Sequence, residues 1–335
     1  MNIPSVSPFG LADVEAARAR TASGLRRTPC LVAPAISGIL GLKVWLKRDD
    51  LQRTGSFKER GARNALLCLD ATERARGVIA ASAGNHALGL AFHGAQLGIR
   101  VTVVMPMGAP EVKVRRCRGL GATVVLHGAN FEEAQQFARG LADETAATLV
   151  HPFDDFRVIA GQGTMALEIL EQAAALDTIV VPVGGGGLLA GIATVVKTLR
   201  PDVRVIAVEP ARAPSFLAAC LQGGPTSVRV ESTLADGLAV ARVGERAFAQ
   251  AAPRIDDLVA VDETDLAAAI ALLARQGIVA EGAGATALAA VCSGKITGRS
   301  LVLPVCGRNI DPRVHEAVVA AAGSAPSPQR FSRAA

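Results

Sequence analysis

The sequence predicts an α/β protein with open, mostly parallel sheets. Short apolar runs alternate with longer runs of helical period, which is the pattern of strands joined by crossover helices. Three glycine-bearing loops each follow an apolar run and precede a helix, where open α/β sheets bind ligands. The chain has 335 residues, half of them hydrophobic, so it can bury the core that such sheets need. With only 3% aromatics and no Tyr, that core must be built from Ala, Val, Leu and Ile.

In chain order, Lys43–Lys47 alternates like a strand, and 56–69 reads as a helix with Ser56 as its N-cap. Val78–Ala81 is a short apolar run, and Asn85–Leu97 is an Ala-rich helix closed by Gly98. A strand (100–105), a helix (111–120), a strand (122–126) and a helix (131–147) follow. A helix is expected over 164–175. Buried strands at 178–183 and 203–208 flank a helix at 188–199. Helices at 263–276, 284–292 and 313–322 and a strand at 301–305 complete the pattern. The Ser-, Pro- and Arg-rich end, 323–335, reads as a loose tail.

Composition excludes several functions. The net charge of +5 is small for this length, and the arginines are scattered without interleaved aromatics, so no nucleic-acid surface is expected. Six widely spaced cysteines form no C-x-x-C pair, which argues against zinc and for reduced thiols in the cytoplasm. No basic stretch followed by an apolar one opens the chain, so no secretion signal is expected. The uncharged run 178–196 is long enough to span a membrane. It contains Pro182 and four consecutive glycines, so a strand, a loop and a buried helix explain it better.

The three loops carry the candidate chemistry. In the first (Thr54 to Lys58), Lys58 sits in a helical first turn, where the macrodipole disfavours a cation. In the second (Ser82, Ala83, Gly84, Asn85, His86), small residues at a helix start expose N–H groups to an anion. In the third, Gly184, Gly185, Gly186 and Gly187 precede Leu188, so the backbone can approach a phosphate at a helix N-terminus. Gly185-x-Gly187-x-x-Ala190 also fits the dinucleotide fingerprint, with Glu209 where a ribose-binding acid would stand, which makes a nicotinamide dehydrogenase the rival reading. Gly282-x-Gly284-x-x-Ala287 matches the same pattern, which shows how little it discriminates here.

Read together and in order, seven segments resemble the threonine/serine dehydratase family of fold type II pyridoxal-phosphate enzymes, the relatives of tryptophan synthase beta and serine racemase. They are KRDDLQRTGSFKERGA (47–62), SAGNHALG (82–89), HPFDDFRVIAGQGT (151–164), GGGGL (184–188), AVEP (207–210), EGAGA (281–285) and VCGRNID (305–311). The resemblance implies a large cofactor domain from 1–69 and 149–322 and a small domain over 70–148, with pyridoxal phosphate between them. It further implies that Lys58 holds the cofactor as a Schiff base, Phe57 packs on its ring and Asn85 bonds its 3′-oxygen. Gly184 to Leu188 would cradle the phosphate, Ser82 to His86 would hold the substrate carboxylate, and Cys306 would face the pyridine nitrogen.

The implied activity is loss of the β-hydroxyl of a 3-hydroxy-L-amino acid, giving a 2-oxo acid and ammonia. A racemase and a β-hydroxyaspartate-type dehydratase are alternatives on the same fold. Ala83 stands where racemases of this group carry a second catalytic Ser, which favours the dehydratase. Ser215 stands where relatives with a cation partner Glu209 with an Asp, so no metal is expected. Arg308 replaces a usual Gly, and the expectation is that it reaches the pocket and alters substrate choice. A homodimer is also implied.

Overall fold

The computed structural model describes residues 9–173 and 175–323. Among the described residues, ten strands form two sheets. The larger has the order β1 (Cys30–Val32), β2 (Lys43–Lys47), β10 (Ser300–Pro304), β7 (Thr178–Pro182), β8 (Arg204–Pro210), β9 (Asp257–Val261). Only β1 is antiparallel to its neighbour. The smaller is wholly parallel, in the order β5 (Thr123–Leu126), β4 (Val101–Met105), β3 (Val78–Ala81), β6 (Thr148–Leu149). The α/β class with mostly parallel sheets is therefore as expected.

The helices are α1 (Leu11–Thr21), α2 (Pro34–Leu40), α3 (Lys58–Leu67), α4 (Ala71–Arg76), α5 (Asn85–Leu97), α6 (Glu111–Gly119) and α7 (Phe131–Thr145). The second half of the chain adds α8 (Phe156–Gln172), α9 (Gly187–Leu199), α10 (Ser215–Gln222), α11 (Glu245–Ala251), α12 (Glu263–Arg275), α13 (Gly282–Cys292) and α14 (Pro312–Gly323). The tail beyond 323 and the first eight residues lie outside the described residues. The run 178–196 is β7, a loop and α9, all buried, and no helix among the described residues is long and apolar enough to cross a membrane.

Two expectations need correction. Ser56 is not the N-cap of α3. The chain at Ser56 bridges to Gly307 and the Phe57 N–H donates to the Cys306 carbonyl at 2.9 Å, so the helix starts at Lys58 without a side-chain cap. The second concerns α8, which begins at Phe156, eight residues before the expected start. Asp155 caps it by accepting from the Arg157 N–H at 2.8 Å. Gly161 and Gly163 look like helix breakers in sequence. In the fold they allow close crossings: a Cβ at Gly161 would stand 2.5 Å from the Arg60 carbonyl oxygen, and one at Gly191 of α9 would stand 2.6 Å from the Gly163 nitrogen. Thus α8 packs backbone to backbone against α3 and α9, and fixes α3 in place.

Candidate active site

The expected residues converge at the carboxyl ends of β2, β3, β7 and β10. Phe57 and Cys306 are joined by the backbone bond above. Gly89 of α5 lies on the backbone of Lys58, where an added Cβ would be 3.4 Å from the Lys58 carbonyl carbon. The loop before α8 ties Lys58 to the glycine loop. The Pro152 carbonyl accepts from Lys58 Nζ at 2.8 Å, and the next residue, Phe153, covers Gly185 so closely that a Cβ there would meet its ring at 2.2 Å. His151 holds that loop by accepting from the Asp154 N–H at 2.9 Å. Glycine is thus required at 185 by what lies behind the loop, while Gly187, Leu188 and Leu189 open α9 with first-turn N–H groups that have no acceptor within the helix.

Lys58 is half-buried, and desolvation pushes its amine down to about 8, against the pull of Cys306 and Glu281. Cys306 is buried as well, which pushes its thiol well above the usual range and keeps it neutral. Asn85 is held at both ends: its Nδ2 donates to Glu281 Oε1 at 2.7 Å, and its Oδ1 accepts from Asn309 Nδ2 at 2.7 Å. Glu281 is buried beside Gly307, and burial raises its carboxyl to about 7. A cavity of about 210 Å³ opens between the two sheets. Ala83, Gly84 and Asn85 wall it on one side, and Asp236, Glu281 and Asn309 on the other.

The side chains of the second loop divide. Ser82 Oγ accepts from the Gly84 N–H at 3.2 Å. The His86 ring turns into the protein against the Val150 carbonyl at 3.3 Å, and burial pushes it down to about 3, so it stays neutral. It stands in the first turn of α5 and does not line the cavity. Arg308 is exposed, packs over Gly55 and does not line the cavity. Glu209 is not free to meet a ribose: its carboxylate accepts from the N–H groups of Phe216 and Leu217 at 2.9 and 3.0 Å, which closes the first turn of α10.

Behind the site is a cluster of paired charges. Arg60, two residues after Lys58, donates to Asp49 at 2.6 and 2.9 Å and to Glu168 at 2.8 and 2.9 Å. Lys47 also bonds Glu168, and Thr28 bonds Asp49. No group of three or more potential metal-ligating side chains occurs among the described residues. Glu281, Asn309 and Pro152 are the site residues to which sequence reasoning assigned no role. An acid opening the helix at Gly282 was a visible signal. Nothing in the sequence ties a carbonyl at 152 to an amine at 58.

Comparison with known proteins fits this geometry. Residues 21–307 match the family model described as pyridoxal-phosphate dependent enzyme. An L-threonine ammonia-lyase of Thermotoga maritima is 42% identical over 311 residues, covering 92% of this chain and 78% of the relative. The structure of the processed form of threonine deaminase isoform 2 from Solanum lycopersicum superposes with a TM-score of 0.86 at 36% identity, over 95% of this chain and 96% of the other. A serine racemase of Dictyostelium discoideum superposes with a TM-score of 0.84 at 35% identity, over 90% and 99%.

Proposed function

The chain belongs to the pyridoxal-phosphate dependent enzyme family, and on that premise we propose that it is an ammonia-lyase. It removes the β-hydroxyl of a 3-hydroxy-L-amino acid such as threonine or serine and yields a 2-oxo acid and ammonia. Residues 70–148 are read as the small domain, and 1–69 with 149–322 as the large one. Lys58 would carry the cofactor, with Phe57 on its ring, Asn85 on its 3′-oxygen, the N–H groups of Gly184 to Leu188 on its phosphate and Cys306 at the ring nitrogen. When bound, pyridoxal phosphate supplies the electron sink for breaking bonds at the amino acid's Cα and Cβ.

The protein groups then have simple tasks. The first-turn N–H groups of α5, from Gly84 to His86, orient the substrate carboxylate. Once displaced by the substrate amine, the Lys58 amine takes the Cα proton, and an amine near 8 suits that role around neutral pH. The neutral Cys306 thiol offers the ring nitrogen no counter-charge. Ala83 offers no proton donor at the cavity wall, which supports elimination over racemisation.

The single observation that carries the reading is the half-buried Lys58 amine, which has no counter-ion among the described residues. Its one hydrogen-bond partner among the described residues is a backbone carbonyl, and it lies within a shell that joins the glycine loop, Asn85 and Cys306. With pyridoxal phosphate the purified protein should show a visible absorption band that borohydride abolishes, with the label on Lys58. It should release ammonia and a 2-oxo acid from threonine or serine. Lys58→Ala should lose the band and at least about a hundredfold in rate. Ammonia release unaffected by Lys58→Ala would refute the assignment.

We also read the chain as a cytoplasmic homodimer. Six free cysteines suit a reducing compartment, and the exposed Leu31 and Ile39 beside the edge strand β1 suit a partner surface. Light scattering of the holoenzyme at a single chain mass would rule out the dimer.

A further inference from the structure

Lys113 and Arg116 lie three residues apart on α6, on the face that looks into the cavity. Lys113 is neutralised: its Nζ is 3.4 Å from Asp236 Oδ2 across the cavity mouth. Arg116 has no carboxylate within ion-pair distance among the described residues. Its one partner is a neutral amide, with Nη2 donating to Asn309 Oδ1 at 3.0 Å. Asn309 is itself anchored to the Thr54 carbonyl at 2.8 Å and to Asn85, so the guanidinium rests on the network that positions Asn85. A guanidinium has five N–H donors, and one bond leaves the others for a ligand. The other acid of the wall, Glu281, is spent on Asn85.

We propose that Arg116 is a specificity residue that receives a second anionic group of the substrate, so that the preferred substrates are 3-hydroxy dicarboxylic amino acids. The inference rests on the ammonia-lyase reading. The α5 N-terminus takes the α-carboxylate, and the neighbouring α6 presents at the cavity a planar cation without a counter-ion, suited to bidentate bonding of another carboxylate. A methyl or hydrogen in that place leaves the free N–H donors of this exposed guanidinium to solvent. Arg308, the basic residue conspicuous in the sequence, lies outside the cavity.

The test measures kcat/KM of the holoenzyme for L-serine, L-threonine and 3-hydroxyaspartate, with Arg116→Ala, Arg116→Gln and Arg308→Ala. The wild type should prefer 3-hydroxyaspartate. Both Arg116 variants should lose about 10- to 100-fold on it, mainly through KM, while serine changes a few-fold at most. Inhibition by succinate should weaken in parallel, and Arg308→Ala should leave the preference unchanged. Turnover of serine or threonine without 3-hydroxyaspartate overturns the inference and leaves the ammonia-lyase reading standing. Equal losses on all substrates give Arg116 only a structural role and overturn it too. No ammonia from any 3-hydroxy amino acid overturns both readings.

Discussion

Lys58 and Arg60 stand two residues apart at the start of α3, one half-buried and one fully buried, in surroundings of opposite kind. Arg60 is enclosed by Asp49 and Glu168, which outweigh its burial and hold it charged, above its ordinary range. Burial pushes Asp49 up, but the charge and hydrogen bonds of Arg60 outweigh that and hold it below the usual carboxylate range. Lys58 has a carbonyl and the Phe57 ring beside it but, among the described residues, no counter-ion, and is pushed down to about 8. Glu281, whose side-chain partner is an amide, is pushed up to about 7. Desolvation therefore has opposite results in the two places, and the counter-ion decides which. Lys47 marks the limit of the rule: burial outweighs even its carboxylate neighbours and lowers it. The paired side of α3 holds the frame, and the unpaired side keeps groups that change protonation near neutral pH, as catalysis requires.

The largest effect should come from breaking the paired side. Arg60→Met leaves Asp49 and Glu168 buried with too little positive charge and should cost about 3–5 kcal/mol in urea unfolding. Adding Asp49→Asn should return part of that loss, because the two sites share one network. A loss within experimental error would mean that the cluster is not the frame.

A smaller effect is expected on the unpaired side. The Glu281 carboxyl sits near 7 in the folded protein and at about 4.5 when unfolded. A raised pKa means that the folded state binds the proton more tightly. Its contribution is full below about 4.5 and is lost as pH rises through about 7. Glu281→Gln should therefore match the wild type at low pH and exceed it in relative stability as pH rises to neutrality. Parallel stability curves for the two proteins would show that Glu281 stays ionised.

Much of this was legible in the sequence, and the reasons differ by element. Lys43–Lys47, Val78–Ala81 and Asn85–Leu97 have the expected bounds because period and glycine stops are local signals. The start of α8 was hidden because Gly161 and Gly163 read as breakers until a partner backbone is brought against them. The short edge pieces β1 and β6, with the short helix α4, lacked enough periods to announce themselves.

The sequence by itself determined the class of fold, the three loops at strand ends and the seven segments that resemble pyridoxal-phosphate enzymes. These follow from patterns between near neighbours in the chain. Only the tertiary structure decided which buried charges are paired: Arg60 with Asp49 and Glu168, and Glu209 with the first turn of α10, while Lys58 is left without a counter-ion. It also decided that Arg116, and not Arg308, faces the cavity. Such pairings join residues far apart in the chain, and the energies that set them depend on burial and distance, which exist only once the chain has closed.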